Sequence, residues 1–135
     1  MAKKKRKAPE YTLNIFLQWD ERTKKQTVVF LVRTTKEFTN FNYDILLESS
    51  FKENELRLKI LGLRTTPLIM PNIGPAQGYR QFELAEGPCS LIVEKIDGEK
   101  NFFRLIVSPD RIEIVESDPH PFLLVSNKSI PFPHP

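Results

Sequence analysis

Sulfur and imidazole groups are scarce in this chain: its 135 residues include one cysteine, Cys89, and two histidines, His120 and His134. A single cysteine excludes an internal disulfide and a zinc site built from paired cysteines. Both histidines lie among prolines near the end of the sequence, and no motif brings this usual general base to Cys89. Cys89 alternates with Leu91 and Val93, which favours a buried structural cysteine over a nucleophile.

Long hydrophobic runs are also missing. The longest ones, such as Val28 to Val32, are far shorter than the ~20 residues of a membrane-spanning helix. The basic N-terminus is not followed by the apolar stretch of roughly 7–15 residues that a secretory signal needs. We therefore expect no membrane partner and a cytoplasmic location, or a nuclear one in a eukaryotic cell if the basic segment acts as a localisation signal.

Enzyme motifs are weak. Glu53 and Glu55 could serve as acid and base, but they belong to a charged turn and the polar face of a strand. Asp118 and His120 could touch a metal ion, yet no third ligand is evident. Gly74 to Gly78 precedes no helix and is therefore not a phosphate-binding loop. We expect no catalytic site, no metal site and no cofactor.

Positive charge is concentrated at the front of the chain. The 20 basic residues outnumber the 17 acidic ones, for a net charge of +3, but five of them are consecutive: Lys3, Lys4, Lys5, Arg6 and Lys7. Without them, 15 basic residues face 17 acidic ones, so the remaining chain is mildly acidic. The run is a solubilising tail or a weak, sequence-independent polyanion-binding tag, and nucleic acid is expected to bind only there.

Period-two alternation dominates the rest of the chain. Leu13, Ile15 and Leu17 alternate with a second set of residues, as in a half-buried strand, and Val28–Val32 suits a strand buried on both faces. The second set is Thr12, Asn14, Phe16 and Gln18. Asp97–Gly98 indicates a tight hairpin, and the phase slip before Gly62 indicates a bulge. These patterns predict eight strands: Tyr11–Trp19, Gln26–Thr34, Phe38–Leu47, Leu56–Ile60, Tyr79–Leu84, Cys89–Ile96, Phe102–Val107 and Ile112–Ile114.

About eight short strands and no convincing helix predict an all-β fold, an antiparallel β-sandwich of about 7–9 strands. The likeness to immunoglobulin and fibronectin type III domains is one of architecture by analogy alone. We expect a disordered basic arm over residues 1–9, a sandwich domain over 10–115 and a Pro-rich extension over 116–135, partly packed on the domain.

Two Pro-rich apolar segments are the most unusual features. The stretch Arg64 to Gln77 contains three prolines and four large apolar side chains, Leu68, Ile69, Met70 and Ile73. A long loop of this kind either binds a partner or folds as a lid over one end of the sandwich. The C-terminal segment carries Phe122, Leu123 and Leu124 between prolines, and either forms an edge strand or docks on a neighbour.

These features favour a non-enzymatic interaction module whose partner is another protein or a second copy of the chain. The contacts would come from the 64–77 stretch and the C-terminal segment. A carbohydrate-binding module is an alternative, with Trp19, Phe16 and Phe103 as a stacking platform, although such aromatics more often pack in a core.

Overall fold

The computed structural model describes residues 9–39, 43–65 and 74–130, and these ranges contain nine strands and no helix. The all-β prediction is therefore confirmed. The strands are β1 (Tyr11–Asp20), β2 (Lys25–Phe38), β3 (Tyr43–Lys52), β4 (Glu55–Thr65), β5 (Gly74–Phe82), β6 (Gly87–Lys95), β7 (Lys100–Val107), β8 (Ile112–Glu116) and β9 (Leu123–Ser126).

The strands form one nearly closed, mixed sheet in the order β8-β7-β6-β4-β3-β5-β2-β1-β9. Three neighbouring pairs run parallel: β1 with β9, β3 with β5, and β4 with β6. The architecture is thus barrel-like, and the expected pair of antiparallel sheets is replaced by a single sheet curved around one core. Each of the eight predicted strands overlaps an observed one, but Phe38 ends β2 rather than beginning β3, and β9 is a ninth strand. The way in which the strands pair also differs from the prediction.

The barrel interior is filled by the side chains that alternate inward. Leu13, Ile15, Phe30, Leu58 and Leu91 are among those with no exposed surface. The run Val28 to Val32 is buried throughout, as predicted, because both faces of β2 are covered. Val28, Phe30 and Val32 lie in the barrel core, and Val29 and Leu31 lie in a smaller outer cluster. Burial of this apolar surface is the main force that holds the sheet together.

The predicted turn and bulge are both present. Gly98 has φ 93°, and its amide donates to the carbonyl of Lys95 at 2.9 Å in the turn between β6 and β7. Register between β3 and β4 skips Leu61, immediately before Gly62 with φ 138°. The backbone conformation that favours glycine therefore occurs at both positions that the sequence pattern singled out.

The C-terminal segment is part of the sheet. Asn101, buried on β7, accepts a hydrogen bond from the amide of Phe122 at 2.7 Å through Oδ1. β9 then runs parallel to β1, with Tyr11 opposite Leu123. Across the remaining gap between β8 and β9, the Asn127 Nδ2 donates to the carbonyl of Ile112 at 2.8 Å. The edge-strand alternative for this segment is the one observed.

A second, smaller core lies on the outside of the barrel. The outward side chains of Phe16, Val29 and Leu31 are buried, and Ile130 packs against them. Asn14, on the same face, donates from Nδ2 to the carbonyl of Lys128 at 3.2 Å. Residues 127–130, which we call the C-terminal strap, thus cover the outer face of β1 and β2.

The loop expected over residues 64–77 is shorter in the structure. β4 continues to Thr65 and β5 begins at Gly74, so the described ends of that stretch are strands. The proposed contact residues Leu68, Ile69, Met70 and Ile73 lie outside the described residues, as do the basic run over residues 3–7 and His134. Within the described ranges, no helix has the length and apolarity to cross a membrane.

Candidate functional site

The sheet opens into a wedge between β3 and β5, and this wedge is the candidate site. The two strands run parallel but pair only at Asp44 and Gln77. Beyond that pair they enclose an open cavity of about 700 Å³. Its lining comes from both strands and the end of β4: Asp44, Ile45, Leu46, Leu47, Arg64, Gln77, Gly78, Tyr79, Arg80 and Gln81.

The backbone of β3 turns one row of polar groups toward the wedge. The carbonyl of Leu47 faces it, because this oxygen accepts a hydrogen bond from Arg80 on β5. The N–H and C=O of one strand residue lie on the same edge, and successive residues alternate between edges. Ser49 and Phe51 therefore also present their N–H and C=O groups to the wedge, whereas Glu48 and Ser50 face β4.

Gly78 sets how closely the strands approach at the narrow end. A Cβ atom on Gly78 would collide with the carbonyl oxygen of Ile45 on β3. Only glycine leaves room for the neighbouring backbone at this point. Two residues further along β5, the inward position is Arg80, whose charged group cannot be buried in an apolar core without a large cost. The strands separate where this arginine stands.

The Arg80 guanidinium occupies the gap between the two edges. Its Nη1 donates to the carbonyl of Tyr79 on β5 at 2.9 Å, and its Nη2 donates to the carbonyl of Leu47 on β3. Neither acceptor carries a formal charge. Within the described ranges Arg80 has no ion-pair partner, whereas the nearby Arg64 lies 3.5 Å from a carboxylate oxygen of Asp44.

The wedge is next to the Pro-rich stretch that the sequence singled out. Arg64, near the end of β4, and Gln77, on β5, both line the cavity. These are the first and last residues of the 64–77 stretch. The stretch was expected to contact a partner, and its two end residues line the candidate site.

The three apolar residues predicted as contacts in the C-terminal segment differ in exposure. Phe122 and Leu123 lie in the barrel core, with 6% and 0% of their surface exposed, whereas Leu124 is 55% exposed. Their alternation on β9 explains the difference, because successive side chains point to opposite faces. Of the three side chains predicted to contact a partner, Leu124 is the one that is accessible in the barrel, whereas Phe122 and Leu123 face its core.

The three aromatic rings considered for sugar binding do not form one platform. Phe103 points into the barrel core, and Phe16 lies beneath the C-terminal strap. Only Trp19, at 51% exposure, presents a large part of its ring. Phe103 is not available for stacking because the outward position on β7 belongs to Phe102, which is 55% exposed.

Cys89 is buried in the core, as predicted, and burial raises the pKa of its thiol. His120 is exposed, and the Cys89 thiol donates to the carbonyl of Ser90 at 3.6 Å. Asp118 accepts hydrogen bonds from the amides of Phe102 and His120, which gives its carboxylate a structural role. Among the described residues, no group of three or more His, Cys, Asp or Glu side chains could hold a metal ion.

Sequence reasoning missed Arg80 and Gly78. A signal was present, since Ala76, Gly78, Arg80 and Phe82 alternate with Gln77, Tyr79 and Gln81. The prolines nearby favoured a loop and hid this period of two. An arginine at a core-facing position of a strand is the feature that could have indicated an opening in the sheet.

Comparison of the chain with protein-family models, with curated proteins and with solved structures finds no match. Function is therefore inferred from the geometry of the wedge and from the sequence.

Proposed function

We propose that this chain is a protein-interaction module rather than an enzyme, and that it binds an extended segment of a partner protein by strand addition at the β3–β5 wedge. The observation that supports this is the restricted pairing of β3 with β5, which stops after Asp44 and Gln77. A strand edge without a neighbour is a template for another chain.

The edge of β3 is long enough for such a segment. From Leu47 to Lys52 it extends over six residues, about 20 Å at the rise of a strand. Main-chain hydrogen bonds to Leu47, Ser49 and Phe51 would provide affinity, and alternate side chains of the segment would provide specificity. Phe51, 44% exposed, adds apolar surface near the wide end of the wedge.

The earlier candidates extend this proposal. Leu68, Ile69, Met70 and Ile73 belong to the stretch whose two ends line the wedge, so they are proposed as further apolar contacts for the same partner. Leu124 on β9 is proposed as a separate contact, since its side chain is exposed on an edge strand.

A displayed library of random heptapeptides, selected on the full chain, tests the proposal. Ser49→Pro removes the N–H that faces the wedge and leaves the pairing of β3 with β4 intact, because proline is tolerated at a strand edge. Ser49→Ala is the matched control that keeps the N–H. We expect selected peptides to bind the parent chain and Ser49→Ala, but to lose at least tenfold in affinity for Ser49→Pro. Failure to select any peptide, or equal binding to both variants, would contradict strand addition.

A second candidate function, weak polyanion binding through the basic arm, is supported by the concentration of five positive charges over residues 3–7 in an otherwise acidic chain. Counterion release would make such binding independent of sequence and steeply dependent on salt. Deleting residues 1–8 should then abolish retention on heparin, while the unfolding midpoint stays unchanged. Equal retention of the two proteins would end this candidate.

A further inference from the structure

We infer that Arg80 makes the wedge selective for a segment carrying an Asp or Glu side chain at the position level with Leu47. The inference rests on the proposed strand addition and specifies the chemistry of its ligand. Arg80 is the half-buried cation of the wedge, and its side chain lies between the two edges that an added strand would bridge.

The charges that line the wedge favour an anionic ligand. The cavity is lined by two arginines and one aspartate, and Asp44 is already 3.5 Å from Arg64. Arg80 therefore has no opposite charge beside it among the described side chains of the wedge. A half-buried cation attracts an anion more strongly than an exposed one does, because the surrounding medium screens the attraction less.

Addition of a strand would remove one of the hydrogen-bond acceptors of Arg80. An N–H of the added segment would take the Leu47 carbonyl, which Arg80 occupies in the free chain. The displaced guanidinium then needs a new acceptor, and a carboxylate is the acceptor that its paired N–H groups fit best.

The position of Arg80 on β5 also favours contact with one side chain of an added strand. Arg80 is at an inward-facing place on β5, in phase with Ala76 and Gly78, and Leu47 is at an inward-facing place on β3. The side chain of an added residue level with both would point the same way, toward the guanidinium. Without a partner, the inward-pointing charge of Arg80 discourages non-specific strand pairing at the free edge of β3.

The test uses heptapeptides selected as above and synthesised with an amidated C-terminus, each paired with a version in which one Asp or Glu becomes Asn or Gln. Affinities are measured by fluorescence anisotropy for the parent chain, Arg80→Met and Arg80→Lys. We expect one acidic position to be enriched, and its neutralisation to weaken binding to the parent about tenfold, the size of a hydrogen bond to a charged group. The same neutralisation should have no effect on Arg80→Met and a smaller effect on Arg80→Lys.

The outcomes separate this inference from the function on which it rests. If Ser49→Pro abolishes binding but the acidic preference is absent or persists in Arg80→Met, strand addition stands and the role of Arg80 is overturned. If neither substitution changes binding, both ideas fail. A preference that appears only in peptides with a free C-terminus would assign the arginine to a terminal carboxylate and contradict side-chain recognition.

Discussion

At the residue scale, Gly78 determines how closely β3 and β5 approach at the narrow end of the wedge. Its missing side chain lets the Ile45 carbonyl of β3 come close, and a Cβ atom there would displace backbone rather than the end of a flexible side chain. Gly78→Ala should therefore lower the free energy of unfolding by about 1–3 kcal/mol, the usual cost of overpacking.

The matched control is Gly74→Ala on the same strand, where an added Cβ would meet no atom within 4 Å. This substitution should leave stability unchanged or raise it slightly, because alanine restricts the unfolded chain. Urea unfolding of both variants tests the pair. Equal effects at the two positions would mean that the close approach at Gly78 does not limit the fold.

Lys95, at the end of β6, contacts three segments that are distant or separate along the chain. Its Nζ lies 3.3 Å from a carboxylate oxygen of Glu10, 3.1 Å from one of Glu99, and 5.0 Å from the centre of the Phe122 ring. Lys95→Met should lower the free energy of unfolding by about 1 kcal/mol, since the carboxylates are half exposed and their attraction is partly screened. Lys59→Met, which removes an exposed lysine 4.0 Å from Glu94, is the control and should change stability by less than half as much.

The raised pKa values of Cys89, Tyr11 and Lys95 should make the free energy of unfolding depend on pH in the alkaline range. Burial raises the pKa of Cys89, and burial with the nearby Glu10 carboxylate raises that of Tyr11. Burial alone would lower the pKa of Lys95, but its hydrogen bonds to Glu99 and Glu10 outweigh this and raise it. Each group thus holds its proton more tightly in the folded chain than in the unfolded one.

The stability from these groups is complete below their ordinary pKa values of 9.0, 10.0 and 10.5 and is lost as pH rises above them. Urea unfolding should therefore give a constant free energy between pH 7 and 8.5 and a falling one above about pH 9. Lys95→Met should show a shallower decline above pH 10.5. A free energy that rises with pH over this range would contradict these shifts.

Among the elements, the C-terminal strap makes a prediction of its own. Ile130 covers the outer side chains of Phe16 and Val29, whereas Leu124 on the preceding strand is 55% exposed. Ile130→Ala should lower the free energy of unfolding by about 1 kcal/mol and increase binding of a hydrophobic dye, while Leu124→Ala should do neither. Dye binding that stays the same in both variants would show that the strap does not protect this patch.

The strands could be predicted from the sequence because their signals are local. Alternation of side-chain types predicted β1 and β4, and a contiguous apolar run predicted β2. Asp97–Gly98 predicted the turn between β6 and β7. β5 was partly missed because its inward residues Ala76 and Gly78 are small and prolines precede them. The phase of β7 was ambiguous because Phe102 and Phe103 are adjacent aromatics, so period two fits either face.

At the scale of the whole molecule, the pairing of strands could not be predicted from one sequence. Tyr11 lies opposite Leu123 and Leu56 opposite Leu91, and nothing in the local pattern of either strand identifies its distant partner. Parallel pairs also lack the short turns that reveal hairpins. The wedge could not be predicted from the sequence for the same reason, since it depends on where the parallel strands β3 and β5 stop pairing.

The barrel closes almost completely around its core, and the wedge is the place where its neighbouring strands pair least. β3 pairs with β4 along its whole length but with β5 only at Asp44. From Leu47 onward, the edge of β3 that faces the wedge has no strand neighbour among the described residues, and the proposed function depends on this claim.

Amide hydrogen exchange of the free chain, followed by NMR, tests this claim most directly. The N–H groups of Ser49 and Phe51 face the wedge and should exchange much faster than those of Glu48 and Ser50, which face β4, with Ile45 protected beside the Asp44–Gln77 pair. The predicted result is fast and slow exchange in alternate residues along the second half of β3. Protection of Ser49 equal to that of Ser50 would contradict the open edge and, with it, the proposed site.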